Sequence, residues 1–207
     1  MLTCDMSMSA TKRLPAEARR RSILDAALSV LAEGGYAGMT TARLARKAGV
    51  TEPILYRHFA SKRALLRALL DEVTARMIAA FHQLTDGETD TVAGLRRICL
   101  AYPELSSRYQ REFRIINQAL LEATDARTRE LLAAHYDAYR RFLQDLIEQG
   151  QRAGSLRHDI PAAAGAWHMI HSALGFLMTQ EMREDGKGSI HVKAFADATL
   201  GGLLKVP

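Results

Sequence analysis

A chain of 207 residues, 48% hydrophobic and 25% charged, is long enough to bury one large core or two small ones, and its composition is ordinary for a globular protein. Plentiful Ala, Leu and Arg, with only five prolines and 6% aromatics, leave little room for a sheet and make all-α the expected fold class. The net charge of +5 lies entirely within residues 1–62, where ten basic side chains face five acidic ones; this asymmetry points to a polyanion such as nucleic acid or an anionic membrane.

Residues 1–14 read as a disordered basic arm, with Met1, Met6 and Met8 as alternative starts. Cys4 and Cys99 are the only cysteines, too few for a disulfide framework or a metal set, which favours a reducing cytoplasm. No apolar run reaches the ~18 residues of a membrane span, so no membrane partner is expected.

Pro15 opens the first helix, in which Ile23, Ala26, Ala27, Val30 and Leu31 recur at helical spacing until Gly34-Gly35 stops it. Thr40 caps a short second helix, Thr41–Lys47, with Leu44 and Ala45 inward and Arg43, Arg46 and Lys47 outward. Gly49 breaks it. Thr51 caps a third helix, Glu52–Phe59, and Ser61 caps a fourth running from Lys62 to about Thr85. Two-turn helices are marginal alone, so Leu44, Val50, Leu55 and Phe59 must pack on Ile23, Ala27 and Leu31. The result is a helix-turn-helix braced by longer neighbours.

Further on, the pattern predicts an amphipathic stretch, Thr91–Arg108, that Pro103 should kink or break. Helices follow over 111–123, Arg127–Ala153, and from Asp159 or Pro161 to about Glu184. A linker at 184–189 leads to a last helix, Ser189–Leu204.

A helix-turn-helix reads the major groove with the N-terminal residues of its second helix. Thr51 can cap that helix and also donate to a phosphate, while the first-turn N–H groups attract the same anion. Glu52 can accept from a cytosine N4, and Pro53 or Ile54 can touch a thymine methyl. Tyr56 and His58 reach the backbone, Arg57 either backbone or guanine, and Lys62 aims a charge at the same strand. Glu52 has a plainer reading as well, because an acid in any first helical turn stabilises it by roughly 0.3–1 kcal/mol.

The segment TTARLARKAGVTEPILYRHFASKRALLRALL, residues 40–70, resembles the DNA-binding core of the TetR family of bacterial transcriptional regulators. The resemblance rests on Thr40, Leu44-Ala45, Ala48-Gly49-Val50, Leu55-Tyr56, His58-Phe59 and Ser61-Lys62. It implies phosphate contacts at Thr40, Thr51, Tyr56, His58 and Lys62, and operator selection at Glu52, Pro53, Ile54 and Arg57. It also implies a DNA-binding domain over 15–62 followed by an effector-binding and dimerisation domain over 63–207. Glu52 departs from the commoner neutral or basic residue of the family, so it either reads a cytosine or deters wrong sites.

The helix starting near Pro161 is apolar nearly all round, through Trp167, Ile170, Leu174, Phe176, Leu177 and Met178, as expected of a helix covered on both sides. The last helix carries small residues that allow close approach. Ile170, Leu174, Leu177, Met178, Phe195, Ala198 and Gly202 are therefore the expected contacts of a homodimer. Candidates for an apolar pocket with a few polar groups are Cys99, Tyr102, Phe113, Asn117, Leu120, Tyr136, Tyr139, Trp167 and His171, with Phe81 beside them. Each is equally accounted for by ordinary core packing. His168 and His171 have helical spacing for a metal but lack further ligands nearby, so no metal is expected. With no nucleophile–base motif or phosphate loop, neither a catalytic residue nor a cofactor is expected.

The sequence therefore predicts a dimeric, ligand-responsive repressor acting on a pseudo-palindromic operator in double-stranded DNA and released by a small, mainly hydrophobic effector. An activator of the same fold is the nearer alternative, and a helical small-molecule-binding protein without DNA the more distant one.

Overall fold

The computed structural model describes residues 15–180 and 188–204, and every regular element among them is an α-helix. The N-terminal arm and most of the 184–189 linker lie outside these residues. In chain order the helices are α1 (Ala16–Gly38), α2 (Thr41–Lys47), α3 (Glu52–His58), α4 (Lys62–Thr85), α5 (Thr91–Arg108), α6 (Gln110–Glu122), α7 (Ala126–Arg152), α8 (Ala162–Gln180) and α9 (Gly188–Gly201).

Side-chain caps set four of the starts. The Thr40 hydroxyl accepts from the Arg43 amide at 3.2 Å, and Ser61 accepts from Ala64 at 3.1 Å. Asp90 and Asp125 cap α5 and α7 in the same way, each at 2.9 Å. Such caps satisfy amide donors that a helix start leaves without partners. Thr51 occupies the cap position of α3, but its hydroxyl makes no capping bond.

Two expected interruptions turn out differently. α1 does not stop at Gly34-Gly35: Gly35 breaks the helical run with φ 63°, and helical turns resume as far as Gly38. A side chain there would be strained by that φ, and a Cβ would fall 2.5 Å from Nε2 of Gln118 in α6. Pro103 does not end α5, which continues to Arg108. The missing amide costs one helical bond, but Leu95, Ile98, Cys99, Tyr102 and Leu105 bury one face of α5 on both sides of the proline. Packing outweighs the local break.

Two cores result. Ile23, Ala27, Val30 and Leu31 of α1 pack with Leu44 of α2, Leu55 of α3 and Phe59. The second core joins α4 to α9. α4 serves both, with Leu65 and Leu69 in the first and Leu66, Leu70, Val73 and Met77 in the second. α6 does likewise: Ile115 is buried in the first core, Phe113 and Ile116 in the second. Tyr36 packs against both.

At the far end, the turn after α7 is clasped to the chain's end by a Leu156–Leu204 bridge, and the Arg157 amide donates to the Leu203 carbonyl at 3.1 Å. A Cβ on Gly150 would lie 2.6 Å from Cδ1 and 2.8 Å from Cγ of the fully buried Leu156. Gly150→Ala is therefore expected to destabilise the protein by about 1–3 kcal/mol through overpacking, measured as a lowered urea midpoint with an unchanged slope.

Candidate nucleic-acid interface and inner cavity

α3 is seven residues long and buries only Leu55 of its own, with Phe59 following at its C-cap. Thr51, Glu52, Pro53, Tyr56 and Arg57 are exposed, while Ile54 and His58 are half-buried. Thr40, Tyr56, Ser61 and Lys62 line one shallow crevice between α2, α3 and the start of α4. Three of the expected phosphate contacts thus lie together, Thr40, Tyr56 and Lys62, while Thr51 is exposed at the start of α3. Arg20 of α1 stacks its guanidinium over Phe59 at 5.0 Å and holds the end of α3 from behind.

Not every basic side chain on this face points outward alone. Glu33 of α1 pairs with both Arg43 and Lys47, each at 2.9 Å, and these cations, Lys47 foremost, hold its carboxyl below the usual range. Lys62 donates to the Tyr36 carbonyl, and its ammonium lies 4.0 Å from the Tyr36 ring centre. Partial burial lowers the Lys62 pKa, opposed by the negative charge of Glu122. An ammonium has three donors, so this contact leaves others for a phosphate. The Lys62–Tyr36 contact was invisible in sequence, since 26 positions separate the partners.

Within the second core, α4, α5, α6, α7, α8 and α9 surround a cavity of about 60 Å³. Cys99, Tyr102, Phe113, Tyr136 and Tyr139, named from sequence, line it, as does Phe81. Asn117 stands one step behind, accepting from the Tyr136 hydroxyl at 3.1 Å. Leu120 is exposed, and Trp167 and His171 stack on each other at 5.4 Å in a shallow outer groove, so these three lie apart from the cavity. Leu120 lies on α6 and Trp167 and His171 on the nearly all-apolar α8, and the sequence did not fix which side of either helix turns toward the cavity. Met77, Ile98, Leu143 and Met169 also line it; as aliphatic residues at core spacing they carried no distinguishing signal. Burial raises the Cys99 thiol to about 11 and Tyr136 to about 12, and drives Tyr102 and Tyr139 up as well.

His135, next to this wall on α7, was missed by sequence reasoning. The Thr74 hydroxyl donates its one proton to the Leu70 carbonyl at 2.7 Å and also contacts His135 Nδ1 at 2.6 Å. This contact engages one ring nitrogen and leaves Nε2 as the other polar atom of the ring. That Nε2 is buried without a partner, as is the Tyr139 hydroxyl beside it. Burial lowers the His135 pKa to about 4, partly offset by a backbone hydrogen bond at Leu70.

The expected dimer residues divide between two directions. Ile170, Leu174 and Phe195 line the cavity, so they serve the protein's own interior. Met178, Ala198 and Gly202 are exposed on the other side of α8 and α9, and Leu177 is half-buried. His168 ties these helices together through the Thr199 carbonyl at 3.0 Å. Among the described residues there is no group of three or more side chains suited to a metal, and no helix long and apolar enough to cross a membrane.

Residues 23–69 match the family model described as bacterial regulatory proteins, tetR family. The class D tetracycline repressor of Escherichia coli is 51% identical over 61 residues, which is 30% of this chain and 28% of that protein. The transcriptional activator FasR of Mycolicibacterium smegmatis is 32% identical over 104 residues, covering 50% of this chain and 48% of its own. This chain thus spans less than half the length of either relative. SmeT, the repressor of a Stenotrophomonas maltophilia multidrug efflux pump, solved with triclosan, superposes with a TM-score of 0.74 at 22% identity, over 91% of this chain and 92% of its own. That agreement establishes the same all-helical architecture.

Proposed function

We propose that this chain, a member of the tetR family of bacterial regulatory proteins, is a ligand-responsive transcriptional repressor that binds a pseudo-palindromic operator as a homodimer. Two copies of α3 would enter successive major grooves about one helical turn apart. Thr40, Thr51, Tyr56, His58 and Lys62 would hold phosphates, leaving Glu52, Pro53, Ile54 and Arg57 to select the site. The outward faces of α8 and α9, with Met178, Ala198 and Gly202, would pair the subunits.

The observation that carries this reading is α6. Phe113 forms part of the cavity wall, and Ile115, two positions on, is buried in the core that supports α3. Two residues of α-helix rotate the side chain by about 200°, placing them on opposite faces. Gln118 approaches Gly35 from the same helix. A drug-sized ligand needs several hundred Å³, whereas the cavity measures about 60 Å³. Its entry must part the walls, and a shift of α6 reaches α1 and α3 through Ile115 and Gln118. The effector changes operator affinity only by its differential affinity for the two arrangements. The apolar wall supports a mainly hydrophobic effector, and the SmeT complex with triclosan supports an effector site in this architecture.

Removing the Tyr56 hydroxyl and the Lys62 charge together, with Tyr56→Phe and Lys62→Met, is the direct test. Affinity for specific and random duplex should fall alike, and the slope of log K against log salt should shrink by about 2, one lysine contact in each subunit. Unaltered affinity for random duplex would remove these residues from the phosphate contacts. Activation is the second reading, favoured by the likeness to FasR. A reporter behind the bound site separates the two: deleting the regulator raises expression for a repressor and lowers it for an activator.

A further inference from the structure

α2 carries the cations Arg43, Arg46 and Lys47, and α1 treats them unequally. Glu33 holds Arg43 and Lys47 at 2.9 Å each. The two stand about one helical turn apart, so a single carboxylate reaches both. Arg43 is also seated against α1: a Cβ on Gly34 would lie 2.5 Å from its Nη1, and one on Gly38 3.7 Å away, so these glycines leave the room its guanidinium occupies. Arg46 is turned about 100° round the helix from Lys47. It is exposed, and its side chain makes no hydrogen bond or ion pair among the described residues.

The place of α2 gives this inequality a consequence. Thr40 and Thr41 at its start line the crevice shared with Tyr56 and Lys62. The first helix of a helix-turn-helix crosses the DNA backbone while the second enters the groove. Each cation that meets a phosphate adds an increment of affinity that carries no sequence information and is lost steeply with salt. A cation already beside a carboxylate has less of that capacity, because its charge is offset before the phosphate arrives.

We propose that Glu33 sorts the cations of α2: it withholds Arg43 and Lys47 from the duplex and leaves Arg46 as a further phosphate contact. Sequence-independent affinity is thereby held down, and a larger share of operator binding falls to α3. This rests on the reading of α2 and α3 as the DNA-binding unit. A purely mechanical role, in which Glu33 only fastens α2 to α1, has the opposite sign, because a loosened α2 would weaken DNA binding.

The test uses the full chain with two probes, a random-sequence duplex and a duplex selected from a random pool, titrated by fluorescence anisotropy over a salt series. Glu33→Gln should raise affinity for both duplexes alike, roughly threefold or more. The slope of log K against log salt should steepen by about 2 to 4, one or two cations released in each subunit. Adding Arg43→Gln and Lys47→Gln to that variant should return the slope to the parent value, since neither cation contributes in the parent. Arg46→Gln, with Glu33 intact, should lower both affinities and shrink the slope by about 2. Glu104→Gln on α5 adds the same charge and unties Arg108 instead, so its slope should match the parent.

A slope that stays level or falls in Glu33→Gln, or a gain that Glu104→Gln equals, overturns the withholding. An unchanged slope in Arg46→Gln overturns the further contact, and that measurement stands even if the Glu33 variant folds poorly. Duplex binding that responds to Tyr56→Phe with Lys62→Met but to none of these changes would leave the DNA-binding reading intact and remove this proposal. A parent chain that binds neither duplex overturns both.

Discussion

Leu55→Ala is expected to abolish sequence-specific DNA binding and to destabilise the N-terminal core by about 2–5 kcal/mol, the range for truncating a buried leucine. Leu55 is 3% exposed and is the only buried side chain within α3. A seven-residue helix has too few turns to stand in water. α3 therefore exists because Leu55 and the flanking Phe59 anchor it to Leu44 and to α1. Truncation leaves a void and removes most of that anchorage, so the loss falls on the reading surface. Urea unfolding gives the stability change, and amide exchange over 52–58 reports the helix. Arg57→Ala is the control: its side chain is exposed, so stability should move by less than about 0.5 kcal/mol. Full protection of 52–58 with retained operator affinity in Leu55→Ala would show that α3 is held by something else.

Acidification should destabilise the fold by about 3 kcal/mol through His135 alone, once pH has fallen from above 6.5 to about 4. The folded-state pKa of about 4 lies below the ordinary 6.5, chiefly because burial disfavours the imidazolium. Between those values the unfolded chain binds the proton and the folded chain does not, so stability rises with pH. The contribution is complete above pH 6.5 and drains as pH approaches 4. A tenfold change in proton affinity between the two states is worth about 1.4 kcal/mol, which sets the size. The contacts described around the ring, Thr74, Tyr136 and Tyr139, offer no carboxylate to stabilise the cation. Unfolding free energies at about pH 7.5, 6 and 5, compared between the parent and His135→Gln, isolate this effect from other titrations. Identical pH dependence in both would place the acid sensitivity elsewhere.

What could be read from sequence was mostly local. Thr40 and Ser61 announce their helices because a cap needs only the amide three residues on. The helical spacing of Cys99, Tyr102, Phe113, Tyr136 and Tyr139 brings all five to one cavity. Spacing could not separate them from Leu120, Trp167 and His171, since a large side chain at helical spacing reads the same whether it faces a cavity, a groove or solvent. Pro103 misled for a related reason: its local cost is legible, whereas the packing along α5 that overrides it comes from other helices. The pairing of Lys62 with Tyr36, the approach of Gln118 to Gly35 and the unsatisfied His135–Tyr139 pair are tertiary facts. None follows from a window of neighbouring residues.

The alternation along α4 bears on modularity. Leu65 and Leu69 face the core beneath α3, while Leu66 and Leu70 face the core around the cavity. A chain cut after Lys62 would strip the DNA-reading part of two fully buried leucines, and a cut after Leu70 would strip the remainder of two others. Neither cut yields a portable headpiece or an intact receptor. Recombination that exchanges receptors between regulators of this build would therefore have to carry α4 across whole and re-fit one of its faces. Shuffling at this joint is constrained by side-chain volume as much as by the freedom of any linker.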